Sequence, residues 1–182
     1  RTTRTTLGVF VAALLATLLL APSALGVPFH ARAKALDVTG LNHACGVTVD
    51  SKGDLYASSA GTGKVKVYDP SHVLLTEISD ANTPCGLAVT TTGDLYVSER
   101  ATGDVVKYHP SEYPPTASTT YSATTIDASG NAKGIAVDRA DNRLYVAEGN
   151  RVAVYKSDGS FETAIGEGAL TEASGVEHSP AS

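Results

Sequence analysis

Tryptophan and methionine are absent from this 182-residue chain, and phenylalanine occurs only three times. Aromatics make up 6% of the residues, which excludes a core built on a few large anchors and suits many small Val-rich strands. Basic residues are scarce as well, with 14 Lys and Arg against 19 Asp and Glu and a formal charge of −5. No Lys/Arg run interleaved with aromatics occurs, and an acidic surface repels phosphate backbones, so nucleic acid is not an expected partner. The motifs Gly-x-Ser-x-Gly and His-Glu-x-x-His are missing, as is a phosphate-cradling glycine loop.

Long hydrophobic runs are also lacking, except one. Arg1 and Arg4 precede the apolar stretch Leu7 to Ala21, and Pro22, Ser23, Ala24, Leu25 and Gly26 then supply a helix breaker and small residues. A helix of that length spans ~22 Å, short of a ~30 Å hydrocarbon core, so the order reads as a secretory signal helix with no stable membrane span beyond it. Residues 1–26 are the expected signal peptide, 27–40 a linker and 41–182 the folded part. Cleavage is expected after Ala24-x-Gly26 or Ala31-x-Ala33; removal of residues 1–26 leaves 12 basic against 19 acidic residues, a charge of −7. The expected location is extracellular, or membrane-anchored if Leu7 to Ala21 is retained.

What is abundant is repetition. Cys45-Gly46-Val47-Thr48-Val49-Asp50, Gly53-Asp54-Leu55-Tyr56-Ala57-Ser58 and Val65-Lys66-Val67-Tyr68 return as Cys85-Gly86-Leu87-Ala88-Val89-Thr90, Gly93-Asp94-Leu95-Tyr96-Val97-Ser98 and Val105-Val106-Lys107-Tyr108. Gly46 to Gly86 is 40 positions, and so is Val65 to Val105. A third copy begins at Lys133-Gly134-Ile135-Ala136-Val137-Asp138, 48 positions after Gly86. The extra residues fall in the Ser-, Thr- and Pro-rich tract 111–125, which reads as a lengthened surface connection. Gly175-Val176 would open a fourth, incomplete copy.

Within each copy the apolar runs are four to six residues long and separated by Gly, Asp, Asn and Ser, the pattern of strands joined by hairpins. Asp50-Ser51-Lys52-Gly53 offers an acceptor at its start and a glycine for φ > 0 near its end. Further hairpins are expected at Gly61-Thr62-Gly63, Ala101-Thr102-Gly103 and Gly149-Asn150. Fourth strands are expected over 73–78, 121–126 and 161–165. A period of 40 to 50 residues with four antiparallel strands per copy implies blades stacked around an axis, since a lone blade leaves apolar faces uncovered.

Gly-[Val/Leu/Ile]-x-Val-Asp, Gly-Asp-Leu-Tyr-Val and Val-x-x-Tyr at this spacing resemble NHL repeats, from Leu41 to Ile165. The resemblance implies an all-β, NHL-like β-propeller, six-bladed in its general type, of which about three four-stranded antiparallel blades of an incomplete ring are present. It departs at Thr90, where the first copy has Asp50, and at Ser59, where later copies carry Glu99 and Glu148. Three blades do not close a ring and the chain begins with Arg, so a fragment of a longer protein is expected.

Residues able to carry chemistry are few. Cys45 and Cys85 share one repeat position beside the innermost strands. They form a candidate disulfide if their Cα atoms come within ~7 Å, or else stand as two thiols. Lys133 takes the same place in copy three. Asp50, Asp54, Asp94, Asp138, Asp141 and Asn142 are expected to accept N–H bonds inside their own hairpins, since their spacing does not fit a Ca²⁺ loop. Glu99 and Glu148 are expected to bond the turns that follow them. The five histidines, His30, His43, His72, His109 and His178, share no repeat position. No catalytic residue, metal ligand set or cofactor is expected from these patterns. The functional expectation is an extracellular binding module with a protein or glycan partner on its rim. The alternative is a metal-dependent lyase or hydrolase of the gluconolactonase-like propeller type, with its site in the central channel.

Overall fold

The computed structural model describes residues 40–177. The expected signal helix at 1–26 and nearly all of the linker lie outside the described residues, as do His30 and His178.

Among the described residues, twelve strands form three four-stranded antiparallel sheets, each in simple sequence order. The first blade comprises β1 (Ala44–Val49), β2 (Leu55–Ser59), β3 (Lys64–Tyr68) and β4 (Leu74–Ser79). The second comprises β5 (Pro84–Val89), β6 (Leu95–Glu99), β7 (Val105–Pro110) and β8 (Tyr121–Asp127). The third comprises β9 (Ala132–Asp138), β10 (Arg143–Glu148), β11 (Arg151–Tyr155) and β12 (Phe161–Ile165). All three expected outer strands are present, each within one residue of its expected bounds. The inner strands begin slightly earlier than expected, so Cys45, Cys85 and Lys133 lie within β1, β5 and β9.

Hairpin chemistry explains the short turns. Asp50 Oδ1 accepts the N–H groups of Lys52 at 2.8 Å and Asp54 at 2.9 Å, and Gly53 takes φ +90°. Thr90 does the same work through its hydroxyl, which accepts the Asp94 N–H at 3.0 Å. In the third copy Asn142 (φ +60°) adopts the left-handed conformation, a region Asn tolerates better than most side chains.

The core lies between blades. Tyr56, Val65, Val67 and Ile78 of blade one pack against Leu95, Val97, Val106 and Tyr108 of blade two. Tyr96 and Val105 on the other face of blade two meet Leu144, Val146, Ala153 and Tyr155 of blade three. Each buried Val, Leu or Ile among them contributes about 1.5–3 kcal/mol, so blades stabilise one another rather than standing alone.

The tract 111–120 is more than a surface connection. Its ends are tied by a bond from the Ser111 N–H to the Thr120 carbonyl at 2.8 Å. Glu112 Oε1 organises its interior, accepting the hydroxyls of Thr116 at 2.6 Å and Thr119 at 3.0 Å. It also straps blade two to blade one: Tyr113 Oη lies 3.1 Å from Ser51 Oγ, and the Thr76 hydroxyl donates to the Thr119 carbonyl at 3.3 Å.

Candidate functional site at the channel rim

The inner strands are joined by a stitch that recurs from blade to blade. Ser58 Oγ accepts the Gly46 N–H of its own blade at 2.7 Å and donates to the Cys85 carbonyl of the next blade at 2.9 Å. Ser98 Oγ likewise accepts the Gly86 N–H at 3.0 Å and donates to the Lys133 carbonyl at 3.1 Å. Both serines are buried. The glycines make room for this approach. A Cβ on Gly46 would run into the Cys85 carbonyl oxygen, and one on Gly86 would lie 2.6 Å from Ser98 Oγ. On Gly134 a Cβ would lie 2.8 Å from the Gly175 Cα and 3.0 Å from the Ser174 oxygen. Ser174 and Gly175 thus sit against blade three as Cys85 and Gly86 sit against blade one. Ser98→Ala removes the acceptor of one buried N–H and the donor to a neighbouring carbonyl. Its expected cost is about 1–3 kcal/mol, read as a lower urea midpoint with an unchanged m-value.

This geometry brings the sulfurs together. Cys45 and Cys85 are joined as a disulfide, with Cα atoms 4.9 Å apart across 40 residues of sequence. Beyond it, a cavity of about 460 Å³ opens between blades two and three. It is lined by Cys85, Arg100, Thr102, Asn131, Lys133 and Ser174, among others. Lys133 is exposed on β9, and its ammonium lies 3.0 Å from Glu172 Oε1. The rim therefore presents a disulfide and two cations, Arg100 and Lys133.

Glu99 and Glu148 do not face this opening. Both are buried in the junctions between blades. Glu99 Oε2 accepts the Thr102 hydroxyl at 2.8 Å and the Asn82 side-chain amide at 3.0 Å. Glu148 Oε2 accepts the Arg151 guanidinium at 2.7 Å. Ser59 takes the corresponding place in blade one, where its Oγ accepts the Thr62 hydroxyl at 2.7 Å and the Asn42 N–H at 2.9 Å. The expected bond to the following turn is present for Glu99, whereas Glu148 reaches past its turn to Arg151 at the start of β11, and Ser59 bonds its turn through Thr62.

A second junction pattern was not read from the sequence. Asp80, just after the outer strand of blade one, lies beside the Tyr108 hydroxyl of blade two, and Asp127 lies beside Tyr155 of blade three. The same 28-residue spacing separates the members of each pair. Burial, and then the neighbouring aspartate, pushes both tyrosines up.

Burial, and next the Asp127 carboxylate, also raises Glu148 above its ordinary value of 4.5, outweighing Arg151. A carboxyl whose folded value is raised contributes stability that is complete below pH ~4.5 and is lost as pH rises through the folded value. Glu148→Gln should abolish that loss. Parallel urea titrations at several pH values should show the stability difference moving in the variant's favour as pH increases across this window.

His109 Nδ1 contacts Asp94 Oδ1 at 2.5 Å at the far end of a hairpin, away from the rim. Among the described residues, no three His, Cys, Asp or Glu side chains come together in a way that would hold a metal ion.

No family model matches the sequence, and no curated protein matches it. Solved structures do. A gluconolactonase from Xanthomonas campestris shares 19% identity over 74% of this chain and 50% of its own, with a TM-score of 0.59. The fold is that of a β-propeller. The nidogen/laminin complex structure matches with a TM-score of 0.59 and 14% identity over 74% of this chain and 52% of its own. A streptogramin B lyase matches with a TM-score of 0.53 and 14% identity over 69% of this chain and 41% of its own. The chain spans about half the length, or less, of these propellers, and identities this low speak for the shared fold alone.

Proposed function

We propose that this propeller is a secreted binding module whose partner, a protein or a glycan, contacts the rim around Cys85, Arg100 and Lys133. The observation that carries this reading is the composition of the rim. Its inner-strand positions hold a disulfide and a lysine, while the buried acids Glu99 and Glu148 are engaged in blade junctions. A disulfide agrees with an oxidising, extracellular setting, as does the apolar leader at Leu7 to Ala21.

The second reading, a metal-dependent lyase or hydrolase, draws on the gluconolactonase and streptogramin B lyase that share the fold. The described residues do not fit a metal at the rim: Cys45 and Cys85 are bonded to each other and Lys133 is a cation. Carboxylates from elsewhere in the protein would have to supply the ligands.

The full chain, dialysed and assayed together for metal content, δ-gluconolactone hydrolysis and glycan-array binding, separates the two. Saturable glycan binding that is lost in Lys133→Glu, with no bound metal, supports the module. Stoichiometric Ca²⁺ or Zn²⁺ with lactone turnover supports the enzyme and overturns the first reading.

A further inference from the structure

The junction between blades two and three holds two carboxyl groups and one cation. Asp127, at the end of β8, is 5% exposed, and Glu148, at the end of β10, is 4% exposed. Arg151 donates to Glu148 Oε2 at 2.7 Å, but Glu148 Oε1 is buried and finds no donor. The Asp127 side chain lies within hydrogen-bonding reach of the Glu148 carboxyl, and two ionised carboxylates have no hydrogen to offer each other. A proton on Glu148 supplies that donor and removes one of two like charges held out of water. The first junction instead places an amide between its two acids. There the Asn82 N–H donates to Asp80 Oδ1 at 3.0 Å, and the Asn82 side chain donates to Glu99 Oε2 at 3.0 Å. Ser129 stands at the matching place in the second junction, and both its N–H and its hydroxyl donate to Asp127, at 2.8 and 3.1 Å.

These acids stand behind two walls of the rim cavity. The turn fixed by Asp127 continues through Ser129, whose Oγ accepts the Asn131 N–H at 3.3 Å. It leads directly into Gly130, Asn131, Ala132 and Lys133, which line the opening of about 460 Å³. Glu148 is the register partner of Ala132. The next residue, Gly149, bridges to Ala173, the neighbour of the lining residue Ser174. The charged groups facing Glu148 are Asp127 from β8 and Arg151 from β11. Tyr155 of β11 faces Asp127, and Glu167, after β12, acts on Arg151.

We infer that Glu148 and Asp127 share one proton, and that its loss as pH rises loosens the 128–133 wall, so that the rim cavity is firm at acid pH and opens towards alkaline pH. With the proton gone, two like charges lie together in a buried junction, and Arg151 offsets only one of them. Separating the acids relieves the repulsion. The element able to move is the 128–131 turn, because the bonds of Ser129 run to Asp127 rather than into a strand pair. Protonation favours the closed junction, so closure is complete below pH ~4.5 and is lost as pH increases through the folded value of Glu148. An effect of this opening on partner binding rests on the rim reading proposed above; the opening itself does not.

The test is amide hydrogen exchange of the full chain between pH ~4.5 and ~8.5, corrected for the intrinsic pH dependence of exchange and read peptide by peptide. Protection over 128–133 should fall at least tenfold across this range, whereas the matching segment 81–86 at the first junction should keep its protection. Glu148→Gln, whose amide donates to Asp127 at every pH, should hold 128–133 protected throughout. Asp127→Asn should do the same and serves if Glu148→Gln fails to fold; if neither folds, the contrast between the two wild-type segments decides. Protection over 128–133 that does not change with pH, an equal fall over 81–86, or a folded Glu148→Gln or Asp127→Asn that opens as the wild type does would overturn the inference. A glycan array run at both ends of the range keeps the two readings apart. Opening of 128–133 in a protein that binds no glycan at either pH counts against the rim reading and leaves the shared proton standing.

Discussion

Gly46→Ala is expected to cost at least about 3 kcal/mol of folding stability, because overpacking at a rigid contact leaves the chain no cheap way to relax. The added methyl meets the backbone carbonyl of Cys85 on the inner strand of the next blade, and backbone cannot swing aside as a flexible side chain can. Relieving the clash would part β1 from β5. That would weaken the Ser58 bond to Cys85 and loosen the valine-rich layer between blades one and two. Gly175→Ala is the matched control: nothing lies within 4 Å of a Cβ there, and its φ is not positive. Urea unfolding of the two variants should place Gly46→Ala far below the wild type and Gly175→Ala beside it. Equal midpoints would show that the inner strands do not approach each other as described.

The second large effect concerns the disulfide. Breaking the Cys45–Cys85 link opens a 40-residue loop, which in the chain-entropy model removes about 4 kcal/mol of stability. That is a large share of the ~5–15 kcal/mol available to an ordinary domain. The double variant Cys45→Ser/Cys85→Ser should therefore unfold at clearly lower urea than the oxidised wild type. Adding a reductant should bring the wild type down to the variant and leave the variant unmoved. A wild type indifferent to reductant would mean that the bond contributes nothing to holding blade one against blade two.

Much of the fold was legible because repetition is a strong signal. The recurrence of Gly46, Gly86 and Gly134 at matched distances from Tyr-containing strands located all twelve strands closely. What the glycines are for was not legible: they adopt no unusual φ, and the space a Cβ would need is taken by the Cys85 carbonyl at Gly46, by the Ser98 hydroxyl at Gly86 and by Ser174 and Gly175 at Gly134. Ser58 and Ser98 closed motifs already quoted as repeats, yet a serine ending a strand carries no mark of the bond it makes 27 or 35 residues away. The change to Ala147 in the third copy was the one available hint. The Asp80–Tyr108 and Asp127–Tyr155 junctions were hidden for a related reason. Each joins the end of one copy to the middle of the next, so alignment within copies never compares them.

The candidate sites divide along the same line. Cys45 and Cys85 were readable as neighbours from their shared repeat position. Lys133 was readable as their equivalent, though not as a partner of Glu172. Glu99 was placed correctly against its turn, Glu148 instead pairs with Arg151 of β11, and the burial of both beside Asn82 and Asp127 depends on segments from the preceding blade.

The central claim is that successive copies occupy equivalent places around one axis, each inner strand seated on the next. A crystal structure of the full chain tests it most directly through the surroundings of three glycines. The account predicts Gly46 against Cys85, Gly86 against Lys133 and Gly134 against Ser174 and Gly175, with Ser58 and Ser98 bridging the first two pairs. Three unrelated environments for these glycines, or inner strands that do not lie side by side, would contradict it.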